Sequence, residues 1–442
     1  MDTTYDIAAR KRALEKLLER IVDCEQEVIQ ALRDDFRKPA FESVVTETSY
    51  VINDLRNTIS NLHRRAKPKR VRPSLLNFPS SDYIYSEPYG HVLIIAPWNY
   101  PFQLALCPLV AAVSAGNRVT LKPSELTPHT SAVIARIVSE SFDAGYVCTE
   151  LGGVEKSTEL LSRRWDYIFF TGSVPVGKLV AQAAAKHLTP VTLELGGKSP
   201  CIVDSRANLA VTARRIVWGK FVNAGQTCIA PDYILVQRSV KAELITLLSE
   251  EIVRAYTNDP QTSPDFARIV NTKNWDRLKS YIEPQKVIFG GKYDKQDLFI
   301  SPTLIDEPEL SGELMQNEIF GPLLPILAYD NTEDLYRIIG SYEKPLSLYV
   351  FSENRHFTDL VIRHFSFGGG CVNDTLIHIA NKNLPFGGVG HSGIGAYHGQ
   401  ASFDTFSHKK SMTKRPTWLD IKIRYAPYTD KLKKIRRLLK WM

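Results

Sequence analysis

Short apolar runs alternate with helix-patterned segments through most of the chain, and this alternation constrains the fold more than any other feature. Between positions 91 and 204 the strand-like runs are HVLIIAPW, NRVTLKP, DYIFFTG, PVTLELGG and PCIVD. A second series follows, with YILVQ, SLYVF and GCVNDT as its strands. Strands that alternate with helices indicate mostly parallel sheets covered by helices on both faces. The predicted fold class is therefore α/β.

The length of 442 residues is too great for one ordinary hydrophobic core and favours two or three domains. The break between the two α/β series is predicted near Ser205. Ahead of the first series, residues 5–35 and 42–63 have the apolar spacing of two helices. The segments DYIYSEPYG, from Asp82, and SFDTFSH, from Ser402, have the pattern of strands.

Positive charge is concentrated at the C-terminus. The net charge is +7, and the last fifteen residues hold six Lys or Arg and one Asp, so the rest of the chain carries only +2. A nearly neutral body argues against nucleic acid as a partner. Within the tail, residues 428–442, apolar side chains recur at helical spacing, at Leu432, Ile435, Leu438, Leu439 and Met442. This basic amphipathic pattern fits an anionic membrane surface or a partner groove, and a docked or frayed terminal helix is the alternative.

The chain has the features of an intracellular protein. Its N-terminus is charged and helical in pattern, without the apolar segment of a signal peptide, and no apolar run reaches the roughly 18 residues of a spanning helix. The six cysteines are scattered and form no C-x-x-C pair, which indicates a reducing compartment. We expect a cytoplasmic location, with the tail as a peripheral contact to a membrane surface.

One cysteine, Cys228, stands apart. It lies in the run GQTCIAPDY, among small and polar residues just after a predicted helix. Neither a metal-ligand partner nor a second redox cysteine is close to it in the sequence. The run alone assigns this thiol no role.

A glycine-containing loop joins a predicted strand to a helix in DYIFFTGSVPVGKLV. Gly172 and Gly177 resemble the phosphate-binding pattern G-x-x-x-x-G-K-[ST], but Leu179 replaces the hydroxyl that would ligate Mg²⁺. Small residues and a helix N-terminus still suit a phosphate. A tight turn between strand and helix explains the same residues equally well.

Polar side chains follow or interrupt several of the predicted strands. Lys122 and Glu125 in LKPSE lie where ligands bind in open α/β sheets, although surface Lys and Glu are mostly solvated. Glu194 interrupts the apolar run LELGG and is either a site residue or an outward-facing one. Asn99 in IAPWNYP is either a helix N-cap or a donor to an oxyanion. The runs EIFGP and LPFGGVGHSG have the composition of turns.

Taken together and in order, the motifs APWNYP, LKPSE, FTGS, LELGGKSP, GQTC, EIFGP and LPFGG resemble those of the aldehyde dehydrogenase superfamily. They span Ala96 to Gly388, and the flanks also fit, so the resemblance covers nearly the whole chain. GQTC with LELGG some thirty residues earlier is highly specific. The short N-terminal part, the Tyr of NYP and the run from VNDTLIH to GAYHG are similar to the class 3 branch, which includes fatty and aromatic aldehyde dehydrogenases.

The resemblance implies a Rossmann-like NAD-binding domain, an α/β catalytic domain and a small β oligomerisation arm. We expect the cofactor domain in residues 1–205, interrupted by an arm strand at about 80–90, and the catalytic domain in residues 206–399. Residues 400–427 would complete the arm, ahead of the tail at 428–442. By the same resemblance the arm strands leave the body and pair with another subunit, which gives a homodimer.

The resemblance also assigns catalytic roles. Cys228 is similar to the nucleophile that attacks the aldehyde carbon and forms a thiohemiacetal, then a thioester. Asn99 matches the amide that holds the oxyanion together with the backbone N–H of Cys228. Glu194 matches the base that activates water to hydrolyse the thioester.

For the cofactor, the resemblance points to NAD, with NADP as an alternative, and to no metal. The cofactor-binding residues that it implies are Trp98, Lys122, Glu125, Gly172, Ser173, Glu318 and Phe320. Lys122 and Glu125 correspond to contacts with the adenosine ribose, and Glu318 to the carboxylate at the nicotinamide ribose. Glu125 favours NAD because a carboxylate at the ribose 2′-OH repels a 2′-phosphate.

The predicted function is thus oxidation of a medium- or long-chain aliphatic or aromatic aldehyde to the carboxylic acid. A CoA-acylating or reductive semialdehyde dehydrogenase of the same superfamily is the alternative, although neither needs the water-activating Glu194. A P-loop nucleotide hydrolase is disfavoured by Leu179. A non-catalytic member of the fold would have no reason to keep Cys228, Glu194 and Asn99 together.

Overall fold

The computed structural model describes residues 6–74, 77–283 and 285–439. Its helices are α1 Ile7–Asp23, α2 Glu25–Phe36, α3 Ala40–Ser43, α4 Ser49–Ala66, α5 Gln103–Ala115, α6 Pro128–Ser141, α7 Val154–Ser162, α8 Val174–Ala185, α9 Leu209–Phe221, α10 Lys241–Tyr256, α11 Thr272–Ile282, α12 Glu313–Gln316, α13 Thr332–Gly340, α14 Arg355–His364, α15 Gly399–Thr405 and α16 Lys431–Leu439. A π-helical turn, Val44–Thr48, joins α3 to α4.

The strands alternate with the helices, which confirms the α/β class. They are β1 Lys69–Val71, β2 Ser81–Pro88, β3 His91–Ile95, β4 Arg118–Lys122, β5 Val147–Thr149, β6 Tyr167–Thr171, β7 Val191–Glu194, β8 Pro200–Val203, β9 Tyr233–Gln237, β10 Val287–Phe289, β11 Tyr293–Asp294, β12 Phe299–Ile300, β13 Thr303–Asp306, β14 Leu323–Tyr329, β15 Ser347–Phe351, β16 Gly369–Val372, β17 Gly393–Ile394 and β18 Ser407–Lys414.

Two sheets form the body of the molecule. The first has the order β17-β7-β6-β3-β4-β5 and is parallel except for β17. The second has the order β10-β13-β14-β9-β8-β15-β16 and is parallel except for β10. Because parallel strands end at one edge, each sheet presents all its β–α connections at that edge, where ligands bind in such folds.

The change from one sheet to the other comes earlier than the break expected at Ser205. Strand β8 pairs with β9 and β15 and so belongs to the second sheet. The crossing therefore lies between Glu194 and Pro200. Gly197, with φ of 148°, allows the chain to turn there, in a conformation that side chains other than glycine rarely adopt.

Two local predictions were wrong. The helix expected over residues 5–35 is two helices, α1 and α2, that meet at Cys24. The segment SFDTFSH was predicted as a strand, but its first half belongs to α15 and only its end enters β18. Phe403 and Phe406 lie three residues apart and are both buried, so a single turn places both rings in the core, as helical spacing allows.

A third, smaller sheet consists of β1, β2 and β18, all antiparallel. Every residue of β18 after Ser407 is exposed, and β2 is only partly buried along its length. In this chain β2 and β18 pair with each other over eight residues. Within the described residues, no helix has both the length and the apolar content needed to cross a bilayer.

Candidate active site

A cavity of about 800 Å³ opens between the two sheets, at the carboxyl ends of β3, β6 and β7. Eight of the ten residues that the sequence predicts for the site line this cavity: Trp98, Asn99, Gly172, Ser173, Glu194, Cys228, Glu318 and Phe320. Lys122 and Glu125 do not line it. They lie at the end of β4, the neighbour of β3, where the Lys122 Nζ donates to Glu125 Oε2 at 2.6 Å.

The loop that carries Cys228 has an unusual backbone. After α9, three consecutive residues have positive φ: Asn223 at 55°, Ala224 at 52° and Gly225 at 73°. A non-glycine residue in this region costs roughly 1–2 kcal/mol, so surrounding contacts must hold the loop. A Cβ at position 225 would lie 2.3 Å from the carbonyl oxygen of Gly321, which makes glycine necessary there.

Buried amides supply those contacts and join the loop to Asn99. The Asn99 Nδ2 donates to the carbonyl oxygen of Gln226 at 3.0 Å, and the Asn223 Nδ2 donates to that of Asn99 at 2.9 Å. Gln226 in turn donates to Arg268 O at 2.9 Å and accepts from the Val270 N–H at 3.0 Å. An amide nitrogen carries two hydrogens, so Asn99 keeps one for a ligand in the cavity.

The electrostatics of the cavity keep the Cys228 thiol protonated in the ligand-free protein. Burial, and then the charges of Glu318 and Glu194, raise the pKa of Cys228 to about 12, although the backbone N–H groups of Cys228 and Ile229 lower it. A thiolate therefore forms only when a base or a positive charge reaches the cavity.

Glu194 is the last residue of β7 and has an exceptional environment. Its side chain is 2% exposed, and neither carboxylate oxygen has a hydrogen-bond partner among the described residues. Burial raises the pKa of Glu194 well above its ordinary value. An unpaired carboxyl group in a cavity is available to a water molecule, as a general base must be.

Glu318, Phe320 and Trp98 form another part of the cavity wall. Burial, and then the charge of Asp232, raise the pKa of Glu318 to about 8, although the Gly197 N–H donates to it and lowers the pKa. The rings of Trp98 and Phe320 meet edge to face with centroids 5.3 Å apart. This wall offers an aromatic surface beside a carboxyl group.

The sequence analysis missed an ion pair that holds the Glu318 segment. The Lys198 Nζ lies 2.5 Å from Asp232 Oδ2 and also donates to the carbonyl oxygens of Leu314 and Asn317. Asp232 Oδ1 accepts from the Ile319 N–H at 3.0 Å. In the sequence, these two residues are a Lys next to the apolar run of LELGGKSP and an Asp in APDY. Charged residues in such positions are ordinarily solvated, so the pattern did not predict a buried ion pair.

A second missed residue is Lys220 on α9. It is fully buried, and its Nζ has no hydrogen-bond partner within the described part of the chain. Burial lowers the pKa of Lys220 to about 8.

The described residues contain no cluster of His, Cys, Asp or Glu suited to a metal ion.

The cavity fits a nicotinamide dinucleotide. Gly172, Ser173 and Lys178 surround the start of α8, where free N–H groups and a helix dipole favour a pyrophosphate. A Cβ at Gly172 would lie 2.5 Å from the Phe170 ring, so the close approach of the backbone depends on glycine. The unpaired carboxyl group of Glu194, the aromatic pair Trp98 and Phe320, and the Cys228 thiol line the same cavity.

Known proteins resemble this chain over nearly its whole length. The model of the Aldehyde dehydrogenase family matches residues 3–412. The chain is 48% identical to the 4,4'-diaponeurosporen-aldehyde dehydrogenase of Staphylococcus aureus, over 99% of this chain and 96% of that one. It is 44% identical to a rat aldehyde dehydrogenase described as dimeric and NADP-preferring, over 92% and 90% of the two chains. A solved structure of Staphylococcus aureus AldH in a substrate-bound state superposes with a TM-score of 0.97 at 48% identity, covering 99% of this chain and 96% of that one.

Proposed function

The chain belongs to the aldehyde dehydrogenase family, and from that premise we propose how its residues perform the reaction. It is an NAD(P)-dependent enzyme that oxidises fatty or aromatic aldehydes to carboxylic acids. The observation that carries the residue assignment is the presence of Cys228, Asn99 and an unpaired Glu194 in one cavity.

In the first step Cys228 releases its proton to solvent, and the sulfur attacks the aldehyde carbon to give the thiohemiacetal oxyanion. Asn99 Nδ2 and the Cys228 backbone N–H then donate to the oxyanion. Because the Asn99 side chain is already fixed by Gln226, it needs no reorganisation as the charge develops. NAD, held beside Cys228 by the residues proposed below, would supply the hydride acceptor for this carbon, and the substrate would then remain on Cys228 as a thioester.

In the second step Glu194 takes a proton from water, which attacks the thioester carbon. The carbon–sulfur bond breaks, the acid leaves, and the proton held by Glu194 restores the thiol. A CoA-dependent relative would release the acyl group to another thiol and would need no such base. The unpaired oxygens of Glu194 therefore favour hydrolysis.

We propose that Glu318, Phe320 and Trp98 contact the nicotinamide half of the cofactor, and that Gly172 and Ser173 contact the pyrophosphate. Lys122 and Glu125 would hold the adenosine ribose at the end of β4. The carboxylate of Glu125 makes NAD the preferred form, with NADP as a second cofactor. The first sheet is the proposed cofactor domain and the second the catalytic domain.

We also propose a homodimer formed through the sheet of β1, β2 and β18. Its open faces and edge are unusual for a protein that functions alone, because exposed strands pair readily with other chains. The rat relative is described as dimeric. Size-exclusion chromatography with light scattering should give a dimer for the full chain and a monomer once β18 is deleted.

For the tail we propose a peripheral contact of a cytoplasmic enzyme with an anionic membrane surface. Residues Lys431–Leu439 are helical, and Leu432 is exposed. The side chains of Leu438 and Leu439, and residues 440–442 with Met442, lie outside the described part. Deletion of residues 428–442 should abolish sedimentation with phosphatidylserine vesicles. Unchanged sedimentation would refute this contact.

The function is tested by absorbance of reduced nicotinamide with purified protein, NAD or NADP, and aldehydes from acetaldehyde to hexadecanal plus benzaldehyde. Cys228→Ala should abolish reduction, and Glu194→Gln should stop it after one turnover per site. Reduction that requires coenzyme A would instead indicate the acylating activity. Absence of reduction with every aldehyde would refute the proposed function.

A further inference from the structure

Two carboxyl groups from the N-terminal helices contact backbone segments next to the site but have no part in the mechanism above. Glu42 lies at the end of α3, and Glu47 lies in the π-helical turn that follows. In an α-helix, side chains five residues apart point in different directions, whereas the wider π turn brings them closer to one face. Such turns occur frequently at functional sites.

Glu42 contacts the backbone of the nucleophile loop. Its Oε2 accepts from the Asn223 N–H at 2.9 Å. Asn223 is the first of the three residues with positive φ, and its side chain donates to the carbonyl oxygens of Asn99 and Gln226. The hydrogen bond from Glu42 therefore fixes the point where the loop leaves α9.

Glu47 contacts the start of the helix that follows the Asn99 turn. Its Oε2 accepts from the N–H of Gln103, the first residue of α5, at 2.8 Å, and its Oε1 accepts from Lys38 at 2.7 Å. The turn that carries Asn99 runs directly into α5. A carboxylate at this position satisfies an orphan N–H and stabilises the N-terminus of the helix.

Tyr100 links the two contacts. The Lys38 Nζ lies 4.0 Å from the centroid of the Tyr100 ring, within the range of a cation–π interaction. The hydroxyl of Tyr100 is 2.7 Å from the Oγ1 of Thr227, the residue before Cys228. Lys38, Glu47 and Tyr100 are all buried.

We propose that Glu42 and Glu47 form a carboxylate clamp in which Glu42 positions the nucleophile loop and Glu47 positions the Asn99 turn, so that the Cys228 N–H and the Asn99 amide converge on one oxyanion. Both are positioning residues, since neither contacts the reacting atoms. The clamp extends the proposed function and rests on it for the identity of the oxyanion.

The surroundings of Glu42 are mixed in charge. Its pKa is raised to about 7, chiefly by burial; Lys38 and the Asn223 N–H act to lower the pKa, and Asp265 acts to raise it. Tyr100 and Tyr256 also face it and are neutral, because burial raises the pKa of both hydroxyls far above the physiological range. Either protonation state of Glu42 retains an oxygen that accepts from Asn223, so the positioning contact survives across neutral pH.

The test compares Glu42→Ala, which removes the acceptor, with Glu42→Gln, which keeps an acceptor oxygen without the charge. Glu25→Gln is the matched control. Glu25 accepts from the Thr48 hydroxyl at 2.7 Å and thus contacts the same π-helical turn, but the structure gives it no contact with the two site loops. Two readouts are measured on the full-length protein: single-turnover formation of NADH and the rate at which iodoacetamide alkylates Cys228, followed by mass spectrometry of its peptide.

We expect Glu42→Ala to slow NADH formation by roughly 10- to 100-fold, with KM for NAD within twofold of the wild type, because small displacements of a catalytic group have effects of about this size. Alkylation of Cys228 should slow as well, since the loop N–H groups favour the thiolate. Glu42→Gln should recover to within about threefold and Glu25→Gln should match the wild type.

Wild-type rates in Glu42→Ala, or an equal loss in Glu42→Gln, would overturn the clamp. A wild type that reduces no cofactor would refute the proposed function instead. In that case the rate at which iodoacetamide alkylates Cys228 still tests the clamp, because alkylation requires no aldehyde oxidation.

Discussion

Two regions beside the active site, the N-terminal helices and the cofactor side, differ in whether their buried carboxyl groups have partners. On the side of the N-terminal helices, Glu47 is fully buried and is matched by Lys38 and a backbone N–H. On the cofactor side, Glu194 is as deeply buried and has no partner among the described residues. Pairing fixes the position of a side chain, whereas the absence of a partner leaves its proton free to move. The comparison thus separates groups that position from groups that react.

The largest expected effect comes from the unpaired side. Glu194→Gln should lower the rate of thioester hydrolysis by about 10²- to 10⁴-fold, the range of a general base. Hydrolysis by the wild type should rise with pH, because the raised pKa of Glu194 leaves less carboxylate at low pH. Rapid-mixing absorbance should show one fast turnover, then a stall, and the variant should show no such rise. Multiple turnovers at the wild-type rate would contradict the assignment.

For the paired Glu47, substitution should lower the free energy of unfolding. Glu47→Ala leaves Lys38 buried without its carboxylate, and breaking a buried pair in this way costs about 3–5 kcal/mol. The free energy of unfolding, measured by urea denaturation, should fall by that amount. The double variant Lys38→Met, Glu47→Leu should recover much of it. An equal loss in both variants would show that the charges do not matter.

A somewhat smaller effect, on the activation barrier, is expected for Asn99. Asn99→Ala removes one oxyanion donor and should raise the barrier by about 2.7–4 kcal/mol. The loss should be in kcat rather than in KM for the aldehyde, since the donor acts on the developing charge. Asn99→Asp, of similar size but unable to donate when ionised, should be equally impaired. Full activity in either variant would refute the role of Asn99.

The smallest effect concerns Glu42. It is intermediate between Glu47 and Glu194, because it has a backbone partner and also a raised pKa. Its pKa in the folded state, about 7, is above the ordinary 4.5, so folding is favoured when the group is protonated. That contribution is complete below about pH 4.5 and is lost as pH rises through about 7. Glu42→Gln should therefore melt close to the wild type at pH 5 and about a few degrees higher at pH 8. A constant difference across this range would contradict the raised pKa.

The fold was largely predictable because strand and helix patterns are local. Strands such as His91–Ile95 and Tyr167–Thr171 lie where the apolar runs placed them. The errors arose where local patterns are ambiguous. A pair of phenylalanines three residues apart, Phe403 and Phe406, suits a helix or an irregular strand, and only packing decided between them. Strand β8 could have joined either sheet, since its sequence is apolar on both faces.

The site residues divide in the same way into those that a local motif predicts and those that only packing reveals. Cys228, Asn99 and Glu194 were predicted because each lies in a motif that resembles the family. Glu42, Glu47, Lys198 and Asp232 were missed, since a charged residue next to apolar ones usually points to solvent. Their burial depends on which helix or strand packs over them, and that contact joins residues far apart in the chain.

By itself the sequence determined the α/β architecture and the reaction class and predicted the reactive groups, because these depend on local periodicity and on short motifs. The tertiary structure decided which charges are buried and which of them are paired. Burial removes water from a carboxylate, and a neighbouring N–H or ammonium group replaces that water only when two distant segments meet. For this reason the sequence does not distinguish Glu47 from Glu194, although in the folded protein Glu47 has partners and Glu194 has none among the described residues.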